Sequence, residues 1–137
     1  MEHLVIDTNV IAASFLDSEE FHERARAHID ALENGDFMFH LPMLVAVEVM
    51  AVVSRRPQRN RQALMLTWRQ NLSDWERDGT LALYPLDRNR MERALETAGQ
   101  YKLRGSDSVI VSLAEELSMP LKTFDKEILV RYLQASV

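Results

Sequence analysis

A chain of 137 residues, 47% of them hydrophobic and 27% charged, has the size of one domain and enough apolar material for a core. The absence of cysteine excludes disulfides, thiolate metal sites and cysteine nucleophiles. With 16 Lys+Arg against 21 Asp+Glu the formal charge is −5, which is not the balance of a protein that grips nucleic acid by bulk charge but suits a site gathering carboxylates around a cation.

Leu4-Val5-Ile6 is a short run with β-branched residues, ended by Asp7-Thr8-Asn9, three good helix starters; a buried strand should feed a short helix over residues 10–16. Residues 19–32 carry helical spacing, with Phe21, Ala25, Ile29 and Leu32 on one face and Asn34-Gly35 as the stop. A second strand is expected over residues 37–41, after which Pro42 suits the first turn of a helix reaching about residue 54. Residues 59–78 read as helix ended by Asp78-Gly79, residues 81–84 as a third strand, and residues 87–102 as helix with Met91, Leu95 and Ala98 in register. Another helix is expected over residues 106–117, capped by Ser106 or Asp107, then a fourth strand over 121–124 and a last helix over 126–133. Short strands alternating with helices predict an α/β fold, a parallel sheet flanked by helices on both faces, as one domain over residues 1–137. The opening Met1-Glu2-His3 has no basic leader, and the longest apolar run, residues 41–53, falls short of the ~18 residues of a membrane span, so a cytoplasmic protein is expected.

In parallel sheets ligands bind beyond the carboxyl ends of the strands. Asp7 closes the first strand and Asp125 follows the fourth, so their carboxylates should emerge on one edge; each could equally cap the helix it precedes. Glu48 is the only charged side chain from residue 41 to residue 53, in a helix apolar enough to be largely buried, where a lone carboxylate costs several kcal/mol unless paired, protonated or bound to a cation. Asp107, with Ile110, Ala114 and Leu117 following at helical spacing, sits on or near an apolar face. Four converging carboxylates repel one another and call for a cation, and a set of hard oxygens without His or Cys selects Mg²⁺ or Mn²⁺. The reading from the residues is metal-assisted phosphoryl chemistry.

Val5-Ile6-Asp7-Thr8-Asn9-Val10 resembles the opening strand and turn of PIN-domain nucleases. Glu48 in its apolar helix, Gly105-Ser106-Asp107-Ser108-Val109-Ile110, and Leu121-Lys122-Thr123-Phe124-Asp125 match the family's other acidic blocks in order and approximate spacing. The similarity spans residues 4–128, and the nearest subgroup is the VapC-like toxins of prokaryotic toxin–antitoxin pairs. The resemblance implies Mg²⁺- or Mn²⁺-dependent cleavage of RNA, with Asp7, Glu48, Asp107 and Asp125 as catalytic metal ligands and Thr123 and Asn9 in support. It also implies a homodimer and inhibition by a small antitoxin.

The expected chemistry is hydrolysis of a phosphodiester, the cation lowering the pKa of a bound water and stabilising charge in the transition state. Cations for the phosphates are concentrated between residues 54 and 73, where Arg55, Arg56, Arg59, Arg61 and Arg69 occur with no acid. Trp68 lies in the same stretch and suits the core better than a base-stacking role; Lys102 and Arg104 are further phosphate candidates. The histidines show no ligand spacing. Three alternatives stand beside the nuclease. A Mg²⁺ phosphatase of the haloacid-dehalogenase type needs a second Asp where this chain has Asn9, and a receiver domain needs acids that are not evident. A catalytically silent RNA-binding or antitoxin-binding module is the third.

Overall fold

Glu2–Ile6 forms the first strand, β1, in a computed structural model that describes residues 1–56 and 59–133. Residues 57 and 58 of the arginine-rich stretch, and the last four of the predicted domain, lie outside the described residues. After β1 come α1 (Thr8–Phe15), α2 (His22–Glu33), β2 (Phe37–Pro42), α3 (Met43–Arg55), α4 (Arg61–Arg77) and β3 (Leu81–Tyr84). Then follow α5 (Arg88–Tyr101), α6 (Gly105–Leu117), β4 (Leu121–Lys122), α7 (Lys126–Ile128) and a π-helical turn, Leu129–Leu133.

The strands pair in the order β3-β2-β1-β4, every pair parallel. The expected α/β architecture is therefore present. The chain steps from β1 to β2 to β3 in one direction and returns to place β4 on the other side of β1. That reversal makes the carboxyl end of β1 and β4 the topological switch point, where open parallel sheets hold their ligands.

Side-chain alternation divides the sheet. Phe39 faces α4 and meets Trp75 edge-on, with ring centroids 6.4 Å apart. Trp68, fully buried, donates its indole N–H to the Ala46 carbonyl at 2.9 Å, so it is a core residue as its composition suggested. On the opposite face His40 links three strands: its Nε2 lies 2.9 Å from His3 Nδ1 and its Nδ1 lies 2.8 Å from the Tyr84 hydroxyl. Burial and the neighbouring His3 hold the His40 pKa below its usual value.

Several expectations are corrected. The fourth strand stops at Lys122 because the next residues take other partners: the Phe124 N–H donates to the Asn9 side chain and the Asp125 N–H to the Thr123 hydroxyl. The second helix begins at His22, since Leu16, Glu19 and His22 are spent on successive turns. Pro42 ends β2, pairing with Tyr84, and the helix begins after it. Ser106 and Asp107 do not cap α6; Arg104 holds the cap position and Asp107 lies in the first turn. The last helix is α-helical only to Ile128. Most consequentially, α3 is not buried all round. Val45, Val49 and Val53 form its buried stripe, whereas Met43 is 48% and Val47 67% exposed. No helix among the described residues is long and apolar enough to cross a membrane.

Candidate active site

Asp7 occupies the switch point. It is 4% exposed, and both of its oxygens are engaged: Oδ1 accepts from the Thr8 N–H at 2.7 Å and Oδ2 from the Thr123 hydroxyl at 2.7 Å. It caps α1, as its position before a helix suggested, and it still carries a chemical anomaly. Burial pushes its pKa from the usual 3.8 to about 6, against the lowering effect of those hydrogen bonds, with Asp107 and Asp125 adding repulsion.

Asp107 comes from α6 and is 6% exposed; burial first, and then the charge of Asp125, raise its pKa. Asp125 emerges beyond β4 and caps α7, its Oδ1 accepting from the Glu127 N–H at 2.8 Å and the Ile128 N–H at 3.1 Å. Its other oxygen faces the cluster. The three aspartates thus reach one another electrostatically from three separate elements. The sheet edge predicted this for Asp7 and Asp125, and the apolar face of α6 for Asp107.

Glu48 stands one residue away, on the far side of Thr8. The Thr8 hydroxyl donates to Glu48 Oε1 at 2.9 Å while the Thr8 amide holds Asp7. Among the described residues no group of three or more His, Asp or Glu side chains is arranged to hold a metal ion as it stands. Thr8 and Thr123 join Asp7, Glu48 and Asp125 into a neighbourhood that Asp107 enters from α6, not a closed cage.

The charge of the neighbourhood is met by a residue that sequence reasoning assigned elsewhere. Arg104, expected as a phosphate contact, donates from Nε to Asp107 Oδ2 at 3.2 Å and from Nη2 to Asp125 Oδ2 at 3.1 Å. Those two carboxylates, with Glu127, hold its guanidinium still more firmly protonated. Its position just before Asp107 was the available signal. A guanidinium bridging two aspartates is a stand-in cation, and the donor set around it is all hard oxygen. By both criteria the residues fit a divalent metal.

The remaining expected residues divide. Thr123 is a two-way clamp, donating to Asp7 and accepting from the Asp125 N–H at 2.9 Å. Asn9 accepts from the Phe124 N–H at 3.2 Å, tying the first turn to the loop beyond β4. Arg56 pairs with Glu19 at 2.7 Å, close to Asn9 along one cleft. Arg55 turns back to the Ala51 carbonyl, and Arg59 and Arg61 are exposed near the start of α4. Lys102 is exposed in a left-handed turn ending α5 and does not contact the acids; its carbonyl accepts from Arg131.

The family model described as the PIN domain matches residues 4–132. A sequence comparison with curated proteins returns no match. Among solved structures, FitAcB from Neisseria gonorrhoeae superposes with a TM-score of 0.72 at 20% identity, covering 98% of this chain and 94% of the other. VapC20 of Mycobacterium tuberculosis, described as a sarcin–ricin-loop-cleaving toxin, gives 0.69 at 13% identity over 97% and 94%. A toxin–antitoxin complex from Klebsiella pneumoniae gives 0.59 at 17% identity over 91% and 89%. These identities establish likeness of fold.

Proposed function

The chain is a member of the PIN-domain family, and from that premise we propose that it is a divalent-metal-dependent ribonuclease, the toxin of a toxin–antitoxin pair. The observation that carries the reading is the meeting of Asp7, Asp107 and Asp125 at the switch point, with Arg104 as their counter-charge. Asp7, Glu48, Asp107 and Asp125 are the residues that would hold Mg²⁺ or Mn²⁺. When bound, the ion supplies Lewis acidity and a water acidic enough to attack at neutral pH. The chain supplies orientation: Thr123 fixes Asp7 against the Asp125 backbone, and Thr8 sets the spacing between Asp7 and Glu48. Arg104, once its aspartates are otherwise compensated, is free to meet the scissile phosphate. Arg55, Arg56, Arg59, Arg61 and Lys102 form the wider RNA-contacting surface of the proposal.

An antitoxin partner is supported by the fold likeness to a toxin–antitoxin complex. The groove between α3 and α4 suits it. Val47 and Leu66, 67% and 69% exposed, flank apolar walls, and Arg69 lies at its edge. An amphipathic helix with an acidic margin satisfies both features.

The metal half of the proposal is tested by melting the protein with and without Mn²⁺ or Mg²⁺. An ion that binds only the folded state raises the melting temperature. The expected result is a rise in the wild type and a much smaller one in Asp107→Asn. No rise with either ion in the wild type would contradict the reading.

A further inference from the structure

A cleft of about 360 Å³ opens beside the acidic neighbourhood, between α1, the turn before α2, the end of α3 and Phe124. That volume is at the lower end of the roughly 300–1,000 Å³ of small-molecule sites. The cleft begins at Thr8 and Asn9, so whatever occupies it lies next to the group held by the acids.

The wall of the cleft is aromatic. Phe21 and Phe124 stack with centroids 4.6 Å apart and planes at 29°, and both are only half-buried. Phe124 packs against the hydrophobic core, whereas Phe21 is not part of it, so core filling does not account for the pair. The guanidinium of Arg24 lies 5.4 and 5.3 Å from the two rings. Polar groups converge from the other sides. The Phe124 N–H fixes the oxygen of the Asn9 amide, leaving its NH₂ as a donor with no partner among the described residues. Arg56 and Glu19, paired at 2.7 Å, set donors beside acceptors on the lining.

A flat ligand with two apolar faces and a polar edge answers all of these groups. We infer that this cleft is a base-binding subsite: it seats one unstacked nucleobase of the RNA, adjacent to the phosphate held at the acids. Phe21 and Phe124 provide the stacking surface. Asn9, Arg56 and Glu19 meet the base edge. Arg24 provides charge beside the aromatic pair, where the backbone of a single strand would run. The inference rests on the ribonuclease reading and adds to it a source of sequence preference at one nucleotide beside the cut.

The test is cleavage of a random-sequence RNA pool with Mn²⁺, sequencing the cut ends, for wild type, Phe21→Leu and Arg56→Gln. The Arg56 side chain is 55% exposed, so its variant keeps the fold even if an aromatic substitution disturbs it. The expected result is a base preference at one position beside the cut in the wild type, flattened in both variants. With it KM should rise in both, about ten-fold in Phe21→Leu, the scale of one lost base–aromatic stack, while Mn²⁺ affinity by titration is unchanged. An unaltered preference and KM in both variants would overturn the inference alone, including the case in which they lose only a protein partner. A wild type that binds Mn²⁺ yet neither cleaves nor retains RNA would overturn the ribonuclease reading and this one together.

Discussion

Asp7 is costly to the fold for the reason that would make it useful to the proposed site. Its carboxyl is buried beside two others, and its pKa of about 6 means that ionisation at neutral pH works against folding. A carboxyl raised in the folded state favours that state while protonated, below the unfolded value of 3.8, and the benefit is lost as pH rises through about 6. Without metal, Asp7→Asn should therefore be more stable than the wild type at pH 7.5, by up to about 3 kcal/mol. The difference should shrink as pH falls towards 4, as urea melts at both pH values would show. Arg104→Gln makes a complementary case. Removing the competing guanidinium should tighten Mn²⁺ binding several-fold in calorimetric titration, and weaker binding would mean that Arg104 supports the ion instead of substituting for it. Thr123→Val leaves the Asp125 amide without its acceptor and Asp7 Oδ2 without its donor, the Thr8 N–H still holding Oδ1. The expected stability loss is about 1–3 kcal/mol in denaturant melts, with lower metal affinity.

The elements that sequence disclosed best are those whose residues serve one purpose. The third strand was legible to the residue because no side chain of Leu81–Tyr84 competes with the backbone pairing to β2, the Tyr84 hydroxyl going to His40. Helix α2 stopped where Asn34-Gly35 indicated, with Gly35 at φ 82° in the left-handed region that glycine alone enters freely. Legibility failed where side chains compete with the backbone. The strand expected through Phe124 was cut short by the Thr123 hydroxyl and Asn9, and those same contacts assemble the site. It failed again at α3, where a run of apolar residues looked like a buried helix and proved to be one buried stripe with an open apolar face. Composition cannot say which side of a helix the rest of the chain covers. The Asp–Arg104 bridge was hidden for a related reason: a basic residue next to a proposed phosphate site has two possible partners, and only geometry chooses between them. Glu48 was legible as an oddity, but its link to Thr8 was not. For the open face, Val47→Asp should abolish association with the cognate antitoxin in pull-downs while leaving metal-dependent melting unchanged. Retained association would remove the α3–α4 groove from the account.

The net charge of −5 is compatible with the proposed RNA substrate because the cations are unevenly distributed along the chain. Under the proposal phosphate attraction falls to the arginines around the start of α4, with Arg56 reaching the cleft beside Asn9 and Arg104 bridging the acids at the carboxyl edge of the sheet. Parallel topology gathers the acids. Each strand delivers its following turn to one edge, and the reversal between β1 and β4 opens a gap there that Asp7, Asp107 and Asp125 line from three elements. Under the ribonuclease proposal this edge is the metal-dependent site. Its most direct test is incubation of a mixed RNA with Mn²⁺ or Mg²⁺, comparing wild type, wild type with chelator, and Asp7→Asn confirmed as folded. Cleavage by the wild type with metal, and loss of it in both controls, is the expected result. Cleavage that survives the Asp7→Asn substitution would contradict it.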